Sequence, residues 1–147
     1  MNIVQVDESK LDAWAGLVML MFPYLTYDES LNECRHWLAT QGEIGFLYQQ
    51  DGQSVGFMNL SIRKDYVNGT DTSPVAFVEA IYILPEYRKL GFGGELVEYA
   101  EEFARDNGMT QLASDCLIDN SVSEAFHKSC GFVEKERVIC FVKDIDS

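Results

Sequence analysis

Positive charge is scarce in this sequence. Eleven lysines and arginines stand against 24 aspartates and glutamates, a formal net charge of −13 at neutral pH. Nucleic acid is therefore not expected as a partner, because phosphate binding needs a positive footprint. The same imbalance would draw in a cationic substrate, although surface acidity also serves solubility alone. Long apolar runs are missing, so no membrane span is expected. Residues 1–8 carry neither the basic nor the extended apolar region of a secretory leader, which makes the cytoplasm the expected compartment. Histidine is limited to two residues, and Cys34, Cys116, Cys130 and Cys140 lie far apart with no C-x-x-C pair. That argues against a metal site or a disulfide framework, and the cysteines read as small buried hydrophobes. Two phosphate-loop signatures are absent: no Gly-Lys-Ser/Thr follows the glycines, and they do not make G-x-G-x-x-G. There is no internal repeat, low-complexity tract or linker, and at 147 residues the chain is expected to form one domain, 1–147.

What is present centres on Phe77 to Gly94. From Phe77 to Leu84 the residues are nearly all apolar, β-branched or aromatic, as in a strand buried on both faces, and Pro85 cannot continue the ladder. Glu79 interrupts this run, and a buried charge needs a partner. Beyond the proline come Arg88, Lys89, Leu90, Gly91, Phe92, Gly93 and Gly94. Leu96, Val97, Ala100, Phe103 and Ala104 then mark one face of a helix that stops at Asn107-Gly108. A glycine loop that opens a helix leaves backbone N–H groups unpaired beside the positive end of the helix dipole, a setting suited to a pyrophosphate. Arg88 and Lys89 add local positive charge to an acidic chain.

The remaining elements follow from pattern. Ile3 to Val6 reads as a short strand, and Ser9 as the cap of a helix carrying Leu11, Trp14, Leu17, Val18 and Met21 until Pro23. Thr26-x-x-Glu29 has capping-box spacing for a second helix through Leu31, Cys34 and Leu38. Gly45 to Tyr48, a turn at Asp51-Gly52, and Val55 to Arg63 form a hairpin. Asn59, Ser61 and Arg63 alternate with Leu60 and Ile62, which predicts that one face of the second strand is not core. Tyr66 to Pro74 is a turn-rich connection. Gln111 to Cys116 is a strand parallel to the central one, since a helix separates them. Asp119-Asn120 caps a short helix ending near Cys130-Gly131, and Phe132 to Val142 alternates as a closing strand. The predicted fold is α/β with an α+β mixed sheet: antiparallel early, splayed between two parallel strands late, with helices on both faces. Ligands bind outside the carboxyl ends of parallel strands, where Arg88 to Gly94 and Asn120 are expected to converge.

The pattern Arg88-x-x-Gly91-x-Gly93 at a strand-to-helix junction, with Asn120 and Gly131-Phe132 downstream, resembles the acetyl-CoA loop of the GNAT family of N-acetyltransferases. Several strings are similar to its short aminoglycoside 6'-N-acetyltransferases: Tyr66-Val67-Asn68-Gly69-Thr70, Ser73-Pro74, Phe77-x-Glu79-x-Ile81, Ala113-Ser114-Asp115, and His127-x-x-x-Gly131-Phe132 with Glu134 and Glu136. The resemblance runs from Val55 to the end of the chain and is looser before Asp51, where Phe22 precedes Pro23 in place of a tryptophan.

The resemblance implies the GNAT acyl-CoA N-acyltransferase fold, acetyl-CoA as co-substrate with no metal, and an aminoglycoside acceptor attacking directly in a ternary complex. It implies that the backbone of Ile81, Tyr82 and Ile83 holds the acetyl carbonyl and pantetheine and supplies oxyanion donors. Arg88 to Gly94 would hold the pyrophosphate, and Asn120 the pantetheine arm. Phe22, Tyr66, Glu79, Asp115 and Glu136 would line the acceptor side, three carboxylates from neighbouring strands meeting a polycation. A free alkylammonium is protonated at neutral pH, so a carboxylate must remove a proton, directly or through water: Asp115 first, Glu79 second. His127 stands where many relatives place the tyrosine that protonates the departing thiolate, and Tyr66 is an alternative donor or an acceptor-orienting group. Because Phe132 to Lys143 lacks turn residues, it is expected to be one strand with an unpaired edge, covered by the second subunit of a homodimer. Two other readings stay open: an acetyltransferase for another small cationic amine such as a polyamine, and a non-catalytic acetyl-CoA-binding module.

Overall fold

A computed structural model describes residues 2–146. They fall into two compact units, one ending at Asp115 and the other beginning at Cys116.

The first unit is built on a five-stranded sheet in the order β1-β2-β3-β4-β5. Strands β1 (Ile3–Gln5), β2 (Glu43–Gln50), β3 (Gln53–Arg63) and β4 (Val75–Ile83) pair antiparallel, and β5 (Leu112–Ser114) pairs parallel to β4. Asp51 and Gly52 both take positive φ, 51° and 79°, at the β2–β3 turn, the geometry that matches strand twist in a two-residue hairpin. Helix α1 (Leu11–Met21) buries Trp14, Ala15, Leu17 and Val18. Asp7, rather than the predicted Ser9, supplies the cap ahead of it: its carboxylate accepts the Ser9 N–H at 3.0 Å and opens a 3-10 turn over Glu8–Lys10. Helix α2 (Tyr27–Ala39) has the expected capping box, with the Glu29 N–H on the Thr26 hydroxyl at 3.1 Å and the Thr26 N–H on the Glu29 carboxylate at 2.9 Å.

Alternation along the strands decides the two faces. Leu47, Phe57, Ala80 and Tyr82 pack with α1 and α2, whereas Phe46 meets Tyr99 and Phe103 of α3 (Phe92–Asp106) edge-on at 5.1 and 6.0 Å. Helix α3 buries Leu96, Val97, Ala100 and Ala104, the predicted stripe with Phe103 half-buried beside it. Each large apolar side chain so buried contributes about 1.5–3 kcal/mol before entropy is counted. The β3 face carrying Asn59 and Ser61, predicted to lie outside the core, is buried at both residues. The reason is specific: the Trp14 indole N–H donates to the Asn59 side-chain carbonyl at 3.0 Å, so polarity there marks a satisfied buried contact and not exposure to solvent.

The second unit holds one helix, α4 (Ser121–Ser129), capped by the Asn120 side chain, which accepts the Ser123 N–H at 3.1 Å. No strand follows it among the described residues, against the expectation for Phe132 to Val142. Val138, Ile139, Phe141, Val142 and Ile145 are instead exposed. Alternation prepares a segment for a ladder but does not supply the strand that completes it. The cysteines also depart from expectation. Cys34 alone is buried, and burial pushes its thiol up to about 12, while Cys116 and Cys140 are exposed free thiols.

Candidate active site

Strand β4 changes character halfway along. Its parallel pairing with β5 ends at Val78 opposite Ser114, so Glu79–Ile83 has no strand partner on that side among the described residues. On the other side the β3 register shifts, with Leu60 opposite Val78 and Asn59 opposite Ala80. Glu79 is therefore the extra residue of a β-bulge, and the insertion turns Ala80 and Tyr82 onto the α1–α2 face. Without it they would continue the face of Ala76, which packs against Ala104 and Met109.

The bulged carboxylate is not free. One Arg63 guanidinium nitrogen bonds both Glu79 oxygens, at 2.7 Å to Oε2, and the Ser61 hydroxyl donates to Oε2 at 3.3 Å. The partner expected for Glu79 is thus present, but the expected deep burial is not: the side chain keeps 31% of its surface exposed. Glu79 also lines a cavity of about 180 Å³ with Trp14, Phe22, Trp37, Glu43, Asn59 and Ala80. Phe22 reaches it from the C-terminal cap of α1. The two indoles stand 5.6 Å apart, and Gly45 makes room for one of them, since a Cβ there would come within 2.5 Å of the Trp14 ring. Glu43, Trp14 and Trp37 were not foreseen in this wall. The aromatic helix faces carried the only sequence signal for the tryptophans, and it reads equally well as core packing.

At the carboxyl end of β4 a 3-10 turn over Pro85–Tyr87 leads into the glycine segment. Arg88 folds back, its Nε donating to the Ile83 carbonyl at 2.7 Å and its guanidinium 5.3 Å from the Tyr82 ring centre. The Ile83 carbonyl is therefore engaged by the protein itself. Lys89 takes φ 64° and Gly91 φ 88°, and Gly91 is the N-cap of α3 with no side chain capping the first turn. Phe92, Gly93 and Gly94, predicted as loop, form that first turn. Their N–H groups lie at the positive end of a 15-residue helix. A Cβ at Gly94 would meet no protein atom within 4 Å, so packing does not demand this glycine and the space before it stays open. Backbone donors, open space and two neighbouring cations fit a pyrophosphate.

Asp115 follows β5 one residue past its last paired position and is exposed; Tyr66, on the β3–β4 connection, is 72% exposed. Glu79, Phe22, Asp115, Tyr66 and the glycine segment all belong to the first unit. Asn120, His127 and Glu136 belong to the second. There the Asn120 side-chain oxygen is occupied by its capping bond. His127 Nδ1 lies 2.7 Å from the Ser123 carbonyl oxygen, which only accepts, so that nitrogen carries the proton of this contact. Its ring meets Phe126 and Phe132 edge-on. Glu136 is exposed.

A parallel ladder that ends early, a bulge where it ends and a glycine-capped helix after the strand are the features expected of an acyl-CoA-binding fold. Residues 11–132 match the model of the acetyltransferase (GNAT) family, and the chain belongs to that family. Within it, the chain is 43% identical over 147 residues to an aminoglycoside N(6')-acetyltransferase type 1 from Acinetobacter genomosp. 13, covering 99% of each chain. It is 42% identical to the protein of the same name from Acinetobacter baumannii, again over 99% of each. Among solved structures it superposes on AAC(6')-Ih from Acinetobacter baumannii with TM-score 0.91, 41% identity and 99% coverage of both chains. It also superposes on AAC(6')-Iy in complex with the bisubstrate analog CoA-S-monomethyl-acetylneamine, with TM-score 0.91, 35% identity and 97% coverage of both.

Proposed function

We propose that this chain transfers the acetyl group of acetyl-CoA to the 6'-amino group of aminoglycoside antibiotics, conferring resistance, by direct attack in a ternary complex. The observation that carries the reading is the end of the β4–β5 ladder at Val78 and Ser114, which leaves the Glu79–Ile83 edge open next to a glycine-capped helix. Relatives named for this activity and a neighbour holding a CoA–aminoglycoside analogue support it. The family match runs through both compact units, which supports one GNAT domain over 1–147.

In this reading the α3 first turn with Arg88 and Lys89 binds the pyrophosphate, and the open edge at Ile81, Tyr82 and Ile83 aligns the thioester and donates to its oxygen as negative charge develops. Asp115 takes the proton from the acceptor ammonium, and the amine nitrogen then forms its bond to the acetyl carbon as the carbon–sulfur bond breaks. Glu79 anchors the acceptor's charge and is the second candidate base. Phe22 and Tyr66 flank the acceptor; Asn120, His127 and Glu136 keep the roles the resemblance implies, pantetheine contact, thiolate protonation and acceptor binding. The donor thioester and two exposed free thiols suit a reducing cytoplasm.

The test is thiol release from acetyl-CoA by the purified protein with paired aminoglycosides bearing an amine or a hydroxyl at the 6' carbon. Release with the amines alone is expected. Equal release with spermine, or none with any polycation, overturns the reading.

A homodimer is the second reading, and the exposed apolar segment 132–146 favours it. Val138, Ile139, Phe141, Val142 and Ile145 are 60–90% exposed, more than a stable monomer leaves uncovered in one run, and a second copy covers them. Sedimentation at micromolar concentration should give a dimer; a stable monomer removes this reading.

A further inference from the structure

We propose that Arg63 determines acceptor specificity by acting as a tethered occupant of the ammonium subsite on Glu79, with which an incoming acceptor ammonium must exchange. This rests on the acceptor reading of the Glu79 cavity given above.

The bond is unlike the other ion pairs. Among the described residues the remaining pairs join positions three or four apart along the chain, whereas Arg63 and Glu79 are sixteen apart and tie β3 to the bulge of β4. The same guanidinium lies over the Phe77 ring, 3.6 Å from its centre, so a cation–π contact still holds it when its carboxylate is released. Both partners reach solvent, with 41% of the Arg63 and 31% of the Glu79 side chain exposed, so exchange requires no opening of the core. An ammonium approaching Glu79 meets a like charge already bonded there. It gains the carboxylate only by loosening that charge, which penalises an amine carrying a single positive charge more than a polycation. Glu43, in the wall of the same cavity and in none of these ion pairs, offers a polycation a second carboxylate.

Arg63 is a positioning residue in this account, because it acts through Glu79 and not on the reacting atoms. Calorimetric titration of kanamycin into the full chain, with and without acetyl-CoA turnover, reads the competition directly. Arg63→Gln should lower the kanamycin Kd and KM by roughly threefold to fivefold at low salt without raising kcat, an effect that shrinks as salt screens the site. A singly charged amino sugar should gain more than kanamycin does. Arg63→Lys should stay near the parent protein, and acetyl-CoA affinity should be unchanged in both. In a Glu79→Gln background Arg63→Gln should have no effect on binding. Weaker or unchanged kanamycin binding by Arg63→Gln, or an equal gain in the Glu79→Gln background, overturns the proposal. Kanamycin binding that follows this pattern without any acetyl transfer would instead sink the catalytic reading and leave the exchange intact.

Discussion

Two halves of one strand do different work. From Ala76 to Val78, β4 is paired on both sides, and these three residues are buried along with Val75 before them; from Glu79 to Ile83 it is paired on one side only and begins with a bulge. The first half is cohesive because neighbouring strands satisfy its backbone and helices or loops cover its side chains. The second half gives up one neighbour and so keeps donors for something other than protein. A single extra residue separates them, so the two halves differ by a ladder that stops on one side at one point of an otherwise ordinary sheet.

If this division holds, substitutions should sort cleanly into loss of turnover and loss of stability. The largest effect expected is on turnover: Asp115→Asn, just past the end of the ladder, should lower kcat by about 10²–10⁴-fold while the thermal midpoint stays near the parent value. A large drop in midpoint would erase the distinction. Next, Phe77→Ala in the cohesive half should cost about 3–5 kcal/mol in denaturant unfolding, with turnover per folded molecule preserved. Third, Gly91→Ala, which forces a β-carbon into a left-handed conformation, should cost about 1–2 kcal/mol of stability and raise the acetyl-CoA KM by roughly tenfold. This residue serves both classes and so marks where they meet. The smallest effect belongs to Ser61→Ala, which removes one 3.3 Å bond to Glu79: kcat/KM should change by no more than about fivefold, with stability within about 1 kcal/mol.

The same division separates what was legible in the sequence from what was not. Helix α3, the glycine segment that opens it and the end of β4 before Pro85 could be read because local periodicity and backbone permissiveness specify them, although the helix begins at Phe92, inside the segment predicted as loop. The capping box at Thr26 and Glu29 is equally local. The bulge at Glu79 was hidden, since it exists only in the register between β3 and β4 and leaves no mark in the composition of either strand. Arg63 was visible as a polar residue on an alternating strand, yet its partner lies sixteen residues away across a hairpin-like return. Asn59 and Ser61 were misread because polarity on a strand face indicates solvent only when nothing meets it, and here Trp14 bonds Asn59 and Glu79 bonds Ser61. The segment after α4 was misread for the opposite reason: its alternation is real, but a ladder needs a second strand, and none pairs with it among the described residues.

The placement of Trp14 and Trp37 has a practical consequence. They are the chain's two tryptophans, and both stand in the wall that Glu79 shares. The tryptophan emission of the whole protein therefore originates at one spot, and an antibiotic arriving there should change its colour or brightness without any attached dye. Occupancy of that spot can be followed in real time, separately from the chemistry of the thioester.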